Sequence, residues 1–128
     1  FWAVFNTETR RPEALALPHE HFEKYPNESA TEKSYTKINI AQEFKTVAEH
    51  NVLLSDLDIV NHANSVKYLE WCLDYVETKM ILNQNLKAFE MNYLKEVSLN
   101  DSIVVGKNET VFTISKDGKI CFALELEI

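Results

Sequence analysis

Asn64-Ser65-Val66-Lys67-Tyr68-Leu69-Glu70-Trp71-Cys72-Leu73-Asp74-Tyr75-Val76-Glu77-Thr78-Lys79-Met80-Ile81-Leu82 is the stretch that decides the fold class. Val66, Leu69, Leu73, Val76 and Met80 recur at three and four residues, the spacing of one buried helix face. Tyr68, Trp71, Cys72 and Tyr75 widen that face, with Trp71 and Tyr75 expected in the core. The spacing predicts one long helix over about 64–82. A helix this apolar around its circumference belongs under a sheet, and Asn64 or Ser65 suits its N-cap.

The flanking segments supply that sheet. Strands are expected around 34–39 and 44–48 before the helix, and around 88–96, 102–107 and 109–115 after the Asn83-Gln84-Asn85 break. Lys116-Asp117-Gly118-Lys119 is the strongest turn signal, because Asp-Gly tolerates the positive φ angles of a type I′ hairpin. In the return strand 120–128, Ile120, Phe122, Leu124, Leu126 and Ile128 alternate with Cys121, Ala123, Glu125 and Glu127. His50 is expected in a turn. One central helix and an antiparallel meander make an α+β layout in which the sheet wraps the helix. Residues 1 to about 9 form a further expected strand, apolar on both faces. Residues 11–33 are rich in Pro, Glu, His and Asn, with at most a helical turn at 19–25, and are expected to form a linker.

The chain has 128 residues, enough for one compact domain and an appendage. No apolar run approaches the roughly 20 residues that span a bilayer. No charged-then-apolar leader opens the chain, which leads us to expect a cytoplasmic protein that does not enter the membrane. The net charge of −7 argues against nucleic-acid binding, which needs a basic footprint. Cys72 and Cys121 lack CxxC or metal-ligand spacing, so buried free thiols are expected, and neither a disulfide framework nor a metal site. His19 and His21 are expected as surface histidines. No cofactor is expected.

The polar group that precedes the helix is Asp56-Leu57-Asp58-Ile59-Val60-Asn61-His62-Ala63-Asn64-Ser65. Such residues serve turns and caps regardless of function. They also put two carboxylates and an imidazole beside a helix N-terminus, whose unpaired amides and positive dipole end can stabilise an oxygen that is gaining negative charge.

Extended to Val66-Lys67-Tyr68-Leu69-Glu70-Trp71, this stretch resembles the signature of plant and bacterial acyl-acyl carrier protein (acyl-ACP) thioesterases. Two distant segments match as well. Trp2 to Pro12 resembles the end of that family's first hotdog domain, and Tyr93-Leu94-Lys95-Glu96 with Asp101-Ser102 resembles the strand beyond its central helix. The resemblance covers essentially the whole chain and implies a hotdog fold. By it, residues 1–10 are the last strand of a preceding hotdog domain, 11–33 a linker, and 34–128 the C-terminal hotdog domain with the catalytic loop.

The resemblance further implies hydrolysis of fatty acyl-ACP thioesters in fatty acid biosynthesis, with Asp58, His62, Glu96 and Asn61 as the polar catalytic group. The family's usual Asn two residues after the Asp is replaced here by Val60, so Asn61 either takes its place or the site works without that amide. Val97 stands where some members carry Cys, which excludes a cysteine nucleophile there, and Cys72 lies too deep in the helix to serve. Asp58 or Glu96 would activate water while His62 and the backbone amides near Ala63 and Asn64 hold the oxyanion. The implied partners are acyl carrier protein with its phosphopantetheine-linked chain and a second hotdog, in the same chain or a homodimer. Arg10, Arg11, Lys67, Lys87 and Lys95 are the candidate docking cations for an acidic carrier. Coenzyme A as carrier, and a non-catalytic acyl-binding hotdog, are the competing functions.

Overall fold

The computed structural model describes residues 4–83 and 85–128. The expectations for Phe1, Trp2, Ala3 and Gln84 fall outside these. The described chain divides into two compact units, the first ending at Ser34 and the second spanning Tyr35–Ile128.

In the first unit, β1 (Val4–Phe5) pairs antiparallel with β2 (Pro12–Glu13). Asn6 builds the turn between them. Its Oδ1 accepts the amides of Glu8 and Thr9, and its carbonyl accepts that of Arg10, which sits at φ 59°. The expected strand over residues 1–9 is therefore shorter and folds back on itself, placing a strand where a linker was expected. Around 19–25 a single turn closes, Phe22 N–H on the His19 carbonyl.

The second unit is a five-stranded antiparallel sheet in the order β3-β5-β6-β7-β4, formed by β3 (Lys45–Asn51), β4 (Ala88–Tyr93), β5 (Ser102–Asn108), β6 (Val111–Lys116) and β7 (Lys119–Glu127). Alternation delivers one face to the helices. Ile103, Val105, Phe112, Ile114, Phe122, Leu124 and Leu126 are all buried there with Tyr68, Trp71, Cys72 and Val76. The β6–β7 turn places Asp117 at φ 51° and Gly118 at φ 74°, the two positive angles that Asp-Gly foretold.

Three features depart from expectation. The one long helix is two: α1 (Ser65–Leu73) and α2 (Thr78–Leu82). Between them the amides of Tyr75 and Val76 bond three residues back, to Cys72 and Leu73, a tightening that turns Val76 inward. The β-branched Val76 and Thr78 are poor helix formers and suit such a break. The buried face of α1 is accordingly Tyr68, Trp71 and Cys72, while Val66, Leu73 and Tyr75 are exposed. Second, β7 carries a register shift opposite Ile114 and Ser115, so Cys121 joins Phe122 in the helix-side core instead of facing away.

Third, residues 34–39 form no strand. This segment crosses the other face of the sheet, bonded to side chains: Thr36 N–H and Oγ1 to the Glu90 carboxylate, and Ile38 N–H to Asn92 Oδ1. Ile38, Ile40 and Phe44 cover Val111 and Ala123 there. Phe44 lies on Gly106, where an added Cβ would meet Thr113 Oγ1 at 2.7 Å and Phe44 Cβ at 2.9 Å. Overpacking of this kind costs about 1–3 kcal/mol, so Gly106→Ala is expected to lower the unfolding free energy by that amount, read as a lowered urea midpoint at unchanged m-value.

Candidate active site

α1 begins where its sequence says it should. Asn64 is the N-cap, its Oδ1 accepting the Val66 amide at 3.1 Å. The loop before it is closed by its own polar groups. Asp58 Oδ1 accepts the amides of Val60 (2.9 Å) and His62 (3.2 Å), and Asp58 N–H donates to the His62 carbonyl at 2.8 Å. Asn61 stands at φ 63°, a left-handed position that Asn tolerates. The loop tip is apolar and open, Ile59 fully exposed and Val60 59% exposed.

Glu96 arrives from the other side. The Cys121 carbonyl accepts the amides of both Leu94 and Lys95, which ends β4. Val97, wholly buried, donates its N–H to the Tyr68 hydroxyl oxygen at 2.9 Å, and its carbonyl accepts Ala63 N–H at 3.0 Å. His62 and Ser98 form an isolated bridge. Asp101 then fastens the turn beyond, accepting Ser98 N–H and Lys116 Nζ, each at 2.8 Å. Burial opposes ionisation of Asp101, but Lys116 and the Ser98 amide outweigh it and hold the carboxyl below its usual range. The result is His62 Nε2 3.5 Å from Glu96 Oε2, the imidazole part-buried and the carboxylate open to water.

Of the residues singled out from sequence, Asp58, His62 and Glu96 therefore share one site. Asn61 lies at its edge with an exposed side chain that makes no hydrogen bond among the described residues. Ala63 and Asn64 need a correction: their amides are already bonded, to the Val97 and Asp56 carbonyls. The first helix amide left without an acceptor among the described residues is that of Ser65. Lys67 is paired with Glu70 at 2.8 Å. Burial lifts the Cys72 thiol to about 12, which fits an inert core thiol.

His50 is the residue that sequence reasoning missed. It lies in β3 instead of a turn, and its Nε2 donates to Asp56 Oδ2 at 2.9 Å. Burial works against the Asp56 charge, yet the Leu53 amide, His50 and the nearby Lys67 outweigh it and keep the carboxyl below its ordinary value. Nothing in the local spacing pairs a strand histidine with an aspartate in the following turn.

The chain matches the family model of the acyl-ACP thioesterase C-terminal domain over residues 28–123. It is 30% identical over 74 residues to the dodecanoyl-[acyl-carrier-protein] hydrolase, chloroplastic, of Cinnamomum camphora, covering 57% of this chain and 19% of that protein. To the oleoyl-acyl carrier protein thioesterase, chloroplastic, of Coriandrum sativum it is 23% identical over 112 residues, covering 80% and 30%. The chain thus spans less than a third of the length of these curated relatives. An acyl-ACP thioesterase structure from Bacteroides thetaiotaomicron superposes with a TM-score of 0.66 at 25% identity, over 95% of this chain and 51% of that one. The 12:0-ACP thioesterase of Umbellularia californica superposes at 0.64 and 17% identity, over 96% and 52%, which speaks to fold. The fold is the hotdog, with a central helix shorter than the sequence led us to expect. Sequence signature, family model and fold agree, and the chain belongs to the acyl-ACP thioesterase family, matching its C-terminal domain.

Proposed function

We propose that this chain is the catalytic-loop domain of an enzyme that hydrolyses fatty acyl-ACP thioesters to free fatty acid and carrier. The observation that carries the proposal is the convergence of His62 and Glu96 at 3.5 Å beside the Asp58-closed loop, in a member of this family.

Glu96, exposed and next to the imidazole, takes a proton from water as the water oxygen attacks the thioester carbonyl carbon. The negative charge that develops on the carbonyl oxygen is met by the Ser65 amide and by His62. On collapse the C–S bond breaks, His62 gives its Nε2 proton to the leaving pantetheine sulfur, and the proton that Glu96 took from water passes to His62 across the 3.5 Å between them, restoring both groups. Asp58 keeps the loop closed through Oδ1, leaving Oδ2 outside those bonds to orient the water. Asn61 sets the left-handed turn that brings His62 round.

Residues 1–10 and 11–33 are proposed as the end of a preceding hotdog domain and the linker from it, with the second unit pairing against that hotdog. We place the reaction in the cytoplasm. The two plant relatives are named as chloroplastic, and among the described residues no helix is long and apolar enough to cross a membrane. The test is turnover by the complete protein of one acyl chain on two carriers. Acyl-ACP is expected to be hydrolysed with the higher kcat/KM. A preference for acyl-coenzyme A would reassign the carrier, and failure on both would leave a binding module.

A further inference from the structure

Asp56 joins three separate pieces of the fold around the loop that carries Asp58 and His62. The residue is nearly buried, at 6% exposure, and its Oδ2 accepts two donors, His50 Nε2 at 2.9 Å from β3 and, at 2.8 Å, the N–H of Leu53, which caps the turn Leu54–Asp56. Its carbonyl accepts the N–H of Asn64, the cap of α1, at 2.8 Å. Immediately inside that bond, Leu57 and Ala63 form an isolated antiparallel bridge. Residues 58–62 are the loop held by this pair of ties. The His50 ring itself is fixed by Trp71 of α1, the ring centroids 5.0 Å apart.

A buried carboxylate is expensive to desolvate, and an apolar pair of similar volume would commonly stabilise the fold as well or better. What the ionic pair supplies beyond packing is direction. A carboxylate that accepts from a fixed imidazole and a fixed amide has one orientation, and the backbone two residues before Asp58 inherits it. Misplacing a reacting group by about 1 Å is enough to cost on the order of 10² in rate.

We propose that His50 and Asp56 are positioning residues for the thioesterase site: the imidazole orients the Asp56 carboxylate, and Asp56 sets the start of the loop that presents Asp58 and His62 to Glu96. Neither side chain touches the reacting atoms. The proposal rests on the hydrolytic activity proposed above, and its test therefore includes a measurement that needs no turnover.

The variants are His50→Phe, which keeps a ring against Trp71 but removes the N–H donor, and His50→Gln, which keeps a donor. In the complete protein His50→Phe is expected to lower kcat on acyl-ACP by about ten- to hundredfold with KM changed by less than about threefold, and His50→Gln to restore most of it. In a Glu96→Gln background the same His50→Phe change should cost less than about threefold, because a misplaced loop matters little once the proton acceptor is gone. A structural defect alone would lower stability equally in both backgrounds without this loss of coupling. Amide hydrogen exchange over residues 57–64 should quicken in His50→Phe and not in His50→Gln. Should His50→Phe fail to fold, His50→Phe/Asp56→Asn removes the stranded charge at constant volume and is read in its place. Unchanged loop exchange in folded His50→Phe, or unchanged kcat in an active enzyme, would overturn the proposal. If the parent protein hydrolyses no thioester, the activity assignment fails and the exchange comparison alone decides the positioning role.

Discussion

Asp58→Asn and Glu96→Gln are each expected to lower kcat on acyl-ACP by about 10²- to 10⁴-fold in the complete protein, the range of a lost general acid-base group, or about 3–5 kcal/mol in the barrier. Both changes are nearly isosteric, and the structure gives a reason why folding should survive them. Asp58 accepts the Val60 and His62 amides through Oδ1, an acceptor that Asn retains, so the loop keeps its closure and only the chemistry of the second oxygen changes. Glu96 is largely exposed, and the backbone next to it is held by the Val97–Tyr68 bond. The double variant should fall less than the product of the singles, because groups acting on one water fail together. Val60→Asn restores the residue usual in the family at a side chain that is 59% exposed, and activity should be kept or raised. A folded Asp58→Asn/Glu96→Gln double variant with full turnover would sink the catalytic assignment.

Local chemistry was legible in the sequence, and geometry between distant segments was not. Asn64 as cap, Asp117-Gly118 as hairpin and the alternation through Phe122, Leu124 and Leu126 each depend on neighbours a few residues away, and each stands in the structure. Asp58, His62 and Glu96 were found through a signature, and their meeting depends on the Val97–Tyr68 and Val97–Ala63 bonds that no periodicity announces. The helix break at Asp74–Glu77 was invisible because the apolar spacing continues across it, and so was the bulge that turns Cys121 inward. That the Ala63 and Asn64 amides are already bonded was hidden for the same reason. A helix start offers free N–H groups in general, but which ones stay free is settled by the carbonyls of Val97 and Asp56, contributed by other segments. His50 was lost to the assumption that a histidine near a polar run belongs to the turn.

Phe122→Ala is expected to destabilise the protein by about 3–5 kcal/mol, the cost of removing a large aromatic from a packed core. Phe122 is fully buried, with its ring centroid 5.4 Å from that of Tyr68 and 5.0 Å from that of Tyr93. Aromatic contacts of this kind add about 0.5–1.5 kcal/mol beyond the area they bury. The two tyrosines, whose rings meet edge-on with centroids 5.6 Å apart, also reach the site. Tyr68 holds the Val97 amide next to Glu96, while the Tyr93 hydroxyl donates to the Ser65 carbonyl at 2.9 Å, at the first residue of α1. A cavity beside both rings therefore loosens both anchors, and kcat should fall together with stability. Phe122→Leu, which refills most of the space without aromatic contact, should lose less of each. Urea denaturation of the three proteins measures the first effect as a lowered midpoint at constant m-value, and turnover at a temperature where all are folded measures the second. A loss below about 1 kcal/mol for Phe122→Ala would mean that the two tyrosines shift into the gap, in which case Phe122 is not what holds them in place and the coupling from core to site runs elsewhere.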